Sequence, residues 1–461
     1  MSHEADLIRK NHSVKVNNGS GVFIQPMSSE YGYVLTARHC LKVDSNDLNS
    51  ANIDPHVVTK YDGSVIDVLD FVEHDTEDMA ILIVKPDVTL DLRVSSKQLV
   101  TNENVFLCGY PEDRDFENCG YSNYIYKMHN YKEIGKVILS PQDTVDHSNV
   151  LGFSGGGIFT LGNEDSPVLL CAIETKMDGN ISREYHGRIE AILISEFEKL
   201  IENSKKRYLG KQLSPLLPLH LSSFDHLVDF TFTVQRGWAD DDGLTLLQQA
   251  LRSVVSEKFK VNLYPHEILT QLHNFFYVYE RPKYELRCRE LWSAFLELLI
   301  ISIIIDEPVS VDMEYIRNML KSKRLIYIGE SGVWREYIKN ILFTDLDNLN
   351  DNGIIVAQTL SKSHMPKFKK EFVKSVWNKS NIGRVQNDIR NIRVVNSKIS
   401  KINSVVDLTA LHCECIESKE EVYDKYTDKN FFDTENEKKI IELLASQYKP
   451  YLTVEGVESE S

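Results

Sequence analysis

The sequence has no apolar run long enough to cross a bilayer. Its most apolar stretch, AFLELLIISIII at Ala294–Ile305, includes Glu297 and falls short of the roughly 20 residues that a transmembrane helix needs. The N-terminal stretch MSHEADLIRKNHSVK also lacks the continuous apolar core of a secretory signal. These absences predict a cytoplasmic protein without a membrane span, in which residues 294–305 form a buried helix.

Cysteine is sparse. Seven cysteines are spread through 461 residues, which favours reduced thiols in a cytosol over a disulfide framework. The one dense group is HCEC, where His412, Cys413 and Cys415 could help to bind a metal. No second matching pair exists in the sequence, so ordinary buried residues are the better interpretation. We therefore predict that the protein uses no metal and no other cofactor.

A net positive charge is also missing. The formal net charge of -16 argues against nonspecific nucleic-acid binding by the whole chain, because such binding neutralises phosphates with Lys and Arg. The segment 362–401 is an exception, with eleven Lys and Arg against Glu371 and Asp388. It could contact nucleic acid or an acidic partner. Solvated helix faces are the favoured interpretation, because aromatic residues are sparse there and no nucleic-acid motif occurs.

Short apolar strands dominate the first half. Between residue 12 and about residue 195, runs such as GVFIQP, YGYVLTA and MAILIVK are separated by Gly, Asn and Asp. Many short strands at close intervals indicate an all-β sandwich or barrel. The spacing then changes in SEFEKLIENSKK, where Phe197, Leu200 and Ile201 share one face and Ser195 is a possible cap. This pattern predicts a helix that closes the first domain.

The second half shows helical periodicity. In DDGLTLLQQALRSVVSEKF, Leu247, Leu251 and Val254 fall on one face after an Asp-rich start, as in an amphipathic helix. A chain of 461 residues also exceeds the usual size of one core. We predict an all-β domain at 1–208, a Pro-containing linker at 209–220, a mainly α-helical partner-binding or regulatory domain at 221–455, and an acidic tail at 456–461.

Three stretches of the first half carry residues suited to catalysis. His39 ends an apolar strand in YVLTARHC, Asp78 opens another in EDMAILIV, and Ser154 lies in the glycine-rich GFSGGG. A serine hydrolase needs a base within reach of the hydroxyl and a buried carboxylate that fixes the imidazole. Each residue alone is more often structural, but their joint order and the flanking strands favour a catalytic triad.

In the order His, Asp, Ser, these stretches resemble the signature segments of the trypsin-like (chymotrypsin-fold) serine proteases, over roughly residues 12–205. The resemblance implies a double β-barrel and an endopeptidase that cleaves polypeptides. It implies His39 as general base, Asp78 as orienting acid and Ser154 as nucleophile. The backbone N–H groups of Gly152 and Ser154 would form the oxyanion hole, and glycine lets the backbone turn there without a Cβ penalty.

The sequence departs from the digestive members of this family at Phe153. Many of those relatives have an aspartate there, which pairs with a freshly cleaved N-terminus, and phenylalanine cannot form that ion pair. The chain also lacks an internal activation segment ahead of the first strand, and Cys40 has no partner cysteine in the preceding strand. The resemblance therefore predicts an intracellular protease that is not activated by that route.

The resemblance also places the substrate pocket. Its base would lie near Ser148, and CAIETK, with Glu174 and Thr175, would form one wall. Ser148 gives no strong charge preference. Glu174 or Glu190 could favour a basic side chain, but an exposed strand carboxylate is an equal alternative, so the preference stays open.

The second half, with YPHEILTQL, RELWSAFLELL and WREYIKNILF, resembles the helical C-terminal region of effector subunits in bacterial ABC-three-component systems, which include the Lamassu antiviral systems. That resemblance implies an SMC-like ATPase subunit and a small middle subunit as partners. The chain would contact DNA only indirectly, through these partners. The protease would be the toxic effector, restrained until its release. Two alternatives stay open: a catalytically silent binding module and a stand-alone quality-control protease.

Overall fold

The structure is a computed structural model in which most of the chain is described. The described residues are 3–41, 56–95, 99–112, 120–143, 150–162, 167–180, 183–233, 241–259, 263–276, 286–327, 346, 348–358, 366–381, 399–427 and 433–453. The chain divides into two compact units, Met1–Leu219 and His220–Ser461. Each unit has a hydrophobic core of its own.

In its described residues, the first unit begins with a helix and seven short strands. They are α1 (His3–His12), β1 (Ser13–Val16), β2 (Gly19–Ile24), β3 (Gly32–Thr36), β4 (Val58–Thr59), β5 (Val65–Ile66), β6 (Val68–Glu73) and β7 (Ala80–Val84). The strands form an antiparallel sheet in the order β5-β4-β1-β2-β3-β7-β6. Successive residues alternate between two cores: Phe23 and Val34 face one, and Val22 and Leu35 face the other. The central strands are therefore buried on both sides.

Seven further strands form the second sheet. They are β8 (Arg93–Val94), β9 (Asn104–Gly109), β10 (Ser122–Glu133), β11 (Lys136–Pro141), β12 (Gly157–Thr160), β13 (Leu169–Asn180) and β14 (Arg183–Leu193). Their order is β12-β9-β10-β11-β14-β13-β8, and β12 also pairs with β13, so six strands close into a ring. Apolar residues fill this ring, and a second core packs it against the first sheet. The predicted double-barrel fold is confirmed.

The first unit ends with a helix and a small hairpin, α2 (Ile194–Asn203), β15 (Arg207–Tyr208) and β16 (Lys211–Gln212). The helix begins at Ile194 after the extended Leu193, so Ser195 lies in its first turn and is not the cap that its sequence indicates. Residues 209–219, a linker by sequence, lie in the first unit. Leu213 and Leu216 are buried in its core.

The second unit is mostly helical, as predicted. Its helices are α3 (Asp241–Lys258), α4 (Pro265–Leu272), α5 (Arg289–Asp306), α6 (Met313–Ser322), α7 (Lys370–Asn381), α8 (Leu408–Cys415), α9 (Glu420–Thr427) and α10 (Thr434–Leu452). Every residue of α5 from Leu291 to Ile304 is buried, which makes it the central helix of this unit. Among the described residues, no helix combines the length and apolarity that crossing a membrane requires.

The second unit also contains a four-stranded sheet that the sequence patterns do not predict. Its strands are β17 (Lys323–Tyr327), β18 (Gly353–Gln358), β19 (Lys367–Lys369) and β20 (Ile402–Asp407). Their order is β17-β18-β20-β19, with β19 antiparallel and the other three parallel. Helical patterning predicts a helix over 367–378, whereas residues 367–369 pair as a strand and the helix begins at Lys370.

Candidate active site

Two neighbouring strands bring His39 and Asp78 together. His39 lies in a short 3-10 helix just after β3, and Asp78 lies just before β7, where Thr36 pairs with Ala80. The Nδ1 of His39 is 2.8 Å from Asp78 Oδ2, and the backbone N–H of His39 donates to Asp78 Oδ1 at 3.0 Å. One carboxylate therefore binds both the ring and the main chain of the histidine, which fixes the orientation of the imidazole.

This pairing changes the electrostatics of both side chains. The hydrogen bond with Asp78, and after it an interaction with Cys40, raises the pKa of His39 to about 10. Partial burial acts to raise the pKa of Asp78, but the hydrogen bonds from the His39 ring and amide outweigh it and leave that pKa below its ordinary value. The pair is thus held as an imidazolium and a carboxylate at neutral pH.

Ser154 lies in the loop that precedes β12, and its backbone is attached to the first sheet. Its carbonyl accepts a hydrogen bond from the N–H of Ser20 at 2.7 Å and from the Cys40 thiol at 3.1 Å. Cys40 is the residue after His39. The structure therefore places the main chain of Ser154 beside the segment that carries His39.

The backbone amides of Gly152 and Ser154 are oriented by the hydrogen bonds of the carbonyls that precede them. The carbonyl of Leu151 accepts from Glu112 N at 3.0 Å, and that of Phe153 accepts from Gly156 N at 2.6 Å. In a trans peptide the N–H points away from the carbonyl, so these bonds direct the N–H groups of residues 152 and 154 away from the donors Glu112 N and Gly156 N. Within the described part of the chain, neither amide donates a hydrogen bond.

Position 152 requires glycine on two grounds. Its φ is +91°, in the region that disfavours side chains, and a Cβ there would lie 2.5 Å from the carbonyl oxygen of Tyr110. Phe153, next in the chain, is fully buried in the core of the second sheet, with its ring centroid 5.6 Å from that of Tyr124. An apolar contact thus anchors the loop where digestive relatives use an ion pair.

The predicted pocket residues lie on β13 and β14, apart from Ser148, which falls outside the described residues. Glu174 and Glu190 are 1% and 3% exposed, so neither is an exposed strand carboxylate. Glu190 pairs with Lys132 at 2.5 Å and with Lys176 at 3.8 Å. Thr175 Oγ1 donates to the Glu190 carbonyl at 3.4 Å. The charge of Glu190 is therefore already matched by two lysines.

Glu174 has a different environment. Its backbone carbonyl accepts from Gly155 N at 2.8 Å, which places it beside the Ser154 loop. In the described residues its Oε2 has no hydrogen-bond partner. Burial raises the pKa of this carboxyl to about 8, against the opposing influence of the nearby His39. Glu174 therefore keeps its proton to higher pH than an ordinary carboxyl, and it is buried close to the candidate site.

His412 and Cys415 of the HCEC stretch are buried in the second unit. His412 Nδ1 lies 2.8 Å from the Tyr448 hydroxyl, and its Nε2 lies 3.1 Å from Glu297 Oε2. Cys415 is buried, and burial raises the pKa of its thiol to about 12. Both ring nitrogens are occupied, and no group of three potential ligands suited to a metal occurs among the described residues.

Sequence reasoning did not identify Ser20 or Cys40 as part of the site. Ser20, on β2, and Cys40, in the 3-10 helix after β3, both contact the backbone of the Ser154 loop. The signal for Ser20 is its place in GSGVFI, two glycines around a serine ahead of the histidine. Glycine is also required at position 19, because a Cβ there would lie 2.5 Å from Cys40 Sγ and 2.8 Å from the Ser154 carbonyl oxygen.

Two family models match the chain. Residues 19–164 match the trypsin-like peptidase domain. Residues 191–417 match the C-terminal domain 4 of the ABC-three component (ABC-3C) systems. The first match includes His39, Asp78 and Ser154.

Solved protease structures are also similar to the chain. A serine endoprotease from Yersinia pestis is 22% identical, with a TM-score of 0.33, over 44% of this chain and 68% of that chain. A mutant of Rv3671c from M. tuberculosis H37Rv, in an inactive form, is 14% identical, with a TM-score of 0.32, over 44% of this chain and 93% of that one. A search of curated proteins found no match.

Proposed function

We propose that this chain, which joins a trypsin-like peptidase domain at 19–164 to an ABC-3C C-terminal domain 4 at 191–417, is a serine endopeptidase. The observation that carries the proposal is the double hydrogen bond from His39 to Asp78. It keeps a proton on Nδ1 of the imidazole, so that Nε2 can act as the base once it is deprotonated. Ser154 is the proposed nucleophile, because its main chain contacts Cys40 beside that histidine.

In the proposed mechanism, the Ser154 hydroxyl oxygen forms a bond to the carbonyl carbon of the scissile peptide while its proton passes to His39 Nε2. The developing oxyanion accepts hydrogen bonds from the amides of Gly152 and Ser154. The C–N bond then breaks, and His39 gives the proton to the leaving amine. Water repeats the sequence on the acyl-enzyme, with Asp78 stabilising the imidazolium in both halves.

The charge state of His39 sets a condition on this reaction. A pKa of about 10 leaves the imidazole protonated at neutral pH, and an imidazolium cannot accept the proton of Ser154. A bound substrate or partner that removes water from the half-exposed ring would favour the neutral form and lower the pKa. We therefore expect the isolated chain to react slowly at pH 7.

A proteolytic subunit of a larger assembly is the role that we propose for the whole chain. The match of residues 191–417 to an ABC-3C domain supports other subunits as partners. By its resemblance, the chain would be the effector of a Lamassu-like antiviral system, acting in the cytoplasm with an SMC-like ATPase and a small middle subunit. Turnover of a peptide library by the chain alone and with these subunits, ATP and DNA tests this role, and equal turnover would contradict it.

Labelling by a fluorophosphonate tests the endopeptidase assignment itself. The full-length protein should be modified at Ser154, as located by mass spectrometry, and labelling should be stronger at alkaline pH. Ser154→Ala should not be labelled, while Ser140→Ala, a serine of β11, should behave as the unaltered protein. Absence of labelling at every pH and with every partner would favour the silent binding module. Degradation of unfolded substrates without partners would favour the quality-control protease.

A further inference from the structure

Ser20 makes four hydrogen bonds, two of which join the first sheet to the Ser154 loop. Its hydroxyl donates to the Gly152 carbonyl at 2.7 Å and accepts from the N–H of Tyr110 at 2.8 Å. Its backbone N–H donates to the Ser154 carbonyl at 2.7 Å, and its own carbonyl accepts from Thr36 Oγ1 at 2.7 Å. The residue is fully buried, so water does not compete for these bonds.

These bonds complete a series along the loop. The four consecutive carbonyls from Leu151 to Ser154 are all bonded, and Ser20 holds two of them, those of Gly152 and Ser154. The other two belong to the peptides whose N–H groups would face an oxyanion. The peptides held by Ser20 therefore alternate with the peptides that supply the oxyanion donors.

The hydrogen bond from the Ser20 hydroxyl to the Gly152 carbonyl lies at a position where the backbone is intrinsically flexible. Glycine populates positive and negative φ about equally, so the peptide after Gly152 has little intrinsic reason to keep its orientation. Rotation of that peptide would turn the N–H of Gly152 or of Ser154 through the shared backbone bonds. A buried hydroxyl that holds the Gly152 carbonyl opposes this rotation, since breaking the bond leaves polar groups unsatisfied.

We propose that Ser20 is a positioning residue for the oxyanion hole, an inference that rests on the proposed endopeptidase function. Its hydroxyl donates to the Gly152 carbonyl and so holds that carbonyl toward the first sheet. The same hydroxyl accepts from the Tyr110 amide, which connects the segment after β9 to Ser20 as well. The first sheet thus contributes to the hole as well as carrying His39 and Asp78. Ser20 touches no reacting atom in this role.

The test compares Ser20→Ala with Ser13→Ala in the full-length chain. Ser13 is a matched control, because it is also fully buried, lies on the neighbouring strand β1 and donates to the Arg9 carbonyl, away from the loop. Two quantities are measured: the rate constant of fluorophosphonate labelling across pH, and hydrogen exchange of a peptide spanning residues 150–157. Thermal unfolding of both variants shows that they fold.

Ser20→Ala should label about 10- to 100-fold more slowly, as expected for a small displacement of a catalytic group. The pH midpoint of labelling should stay unchanged, because the His39–Asp78 pair is untouched. Exchange of the 150–157 peptide should become faster, and Ser13→Ala should change neither quantity.

An unchanged labelling rate in Ser20→Ala would overturn the proposal, as would an equal loss in Ser13→Ala. If the unaltered protein is not labelled at any pH or with any partner, the endopeptidase function fails, and exchange alone decides on Ser20. Faster exchange confined to residues 150–157 of Ser20→Ala would support its positioning role, and unchanged exchange would overturn it.

Discussion

One carboxylate, that of Asp78, determines both the orientation and the charge of His39. It accepts from the ring and from the backbone amide, so the imidazole is held at two points. The same contact makes the resting imidazole a weak acid, with a pKa of about 10. An arrangement that orients the imidazole therefore also keeps it protonated at pH 7, and the proposed reaction depends on removing that proton.

Replacing this carboxylate by Asp78→Asn should lower the rate of fluorophosphonate labelling by about 10⁴-fold, because an amide can present its N–H to the ring and stabilise the wrong tautomer. In the unaltered protein, labelling should rise with pH between 7 and 10, as His39 loses its proton. The variant should reach its maximum at lower pH, because the pKa of His39 falls without the carboxylate.

Asp75→Asn is the control for this change, since Asp75 is an exposed carboxylate of the same loop. It should leave both the rate and the pH midpoint unchanged. A normal labelling rate in Asp78→Asn would contradict the role assigned to Asp78.

Glu174 links stability to pH. The unfolded chain loses the Glu174 proton near pH 4.5, whereas the folded chain keeps it to about pH 8. Between these values the folded state binds the extra proton, so this residue lowers the free energy of unfolding as pH rises, by at most about 1.4 kcal/mol per pH unit. Glu174→Gln removes the titration and should gain stability over the unaltered protein at pH 8 but not at pH 4.5.

Urea unfolding at the two pH values measures this difference. Glu190→Gln is the matched comparison on β14, and it should gain no stability at pH 8, because it breaks the pairs with Lys132 and Lys176. A difference between Glu174→Gln and the unaltered protein that is independent of pH would show that Glu174 does not hold its proton in the folded state.

At the scale of elements, contacts with other segments determine the backbone conformation of the loop before β12 more than its own sequence does. Gly152→Ala should abolish labelling, because the new Cβ would clash with the Tyr110 carbonyl and move the backbone. Gly63→Ala separates this clash from the cost of positive φ, since Gly63 has φ +83° and open space around its Cβ position. It should cost about 1–2 kcal/mol of stability and leave labelling intact.

Labelling rates and thermal unfolding of the two glycine variants give the comparison. Comparable labelling by both would contradict the requirement for glycine at 152. It would also weaken the assignment of the Gly152 amide to the oxyanion hole, because the displaced backbone would then be without consequence.

Elements with strong local patterns were predictable from the sequence, and those defined by partners were not. The apolar runs around His39 and Asp78 give β3 and β7 directly. The twelve-residue strand β10 gives no such signal, because most of its residues from Lys127 onward are exposed and polar. In the second unit, β17 includes the buried Lys323 and Arg324, which a propensity argument does not place in a core strand.

The same distinction applies to the candidate site. The residue types and order of His39, Asp78 and Ser154 are local motifs and can be read from the sequence. The contacts of Ser20 with residues 152 and 154 join positions more than 130 apart, so no local pattern contains them. Among the described residues, Glu174 Oε2 has no hydrogen-bond partner and Glu190 pairs with two lysines, and this difference likewise depends on strand register and not on the sequence around each residue.

At the scale of the whole molecule, residues 209–219 determine where the first unit ends. Two prolines make this stretch a linker by composition, yet Leu213 and Leu216 lie in the core between the two sheets. The Ser214 carbonyl accepts a hydrogen bond from the Tyr33 hydroxyl, and the Ser214 N–H donates to the Tyr31 hydroxyl, both at 2.9 Å. The stretch therefore packs onto the two sheets as part of the first unit.

We expect a fragment of residues 1–219 to be more stable than one of residues 1–208. The shorter fragment lacks Leu213 and Leu216, whose burial contributes about 1.5–3 kcal/mol each to the free energy of unfolding. It also leaves the Tyr33 hydroxyl without its acceptor, the Ser214 carbonyl. Urea unfolding of the two fragments measures the loss. A fragment ending at residue 212 keeps the β15–β16 hairpin and should resemble the shorter one. Equal stability of all three would place the end of the folded unit before residue 209.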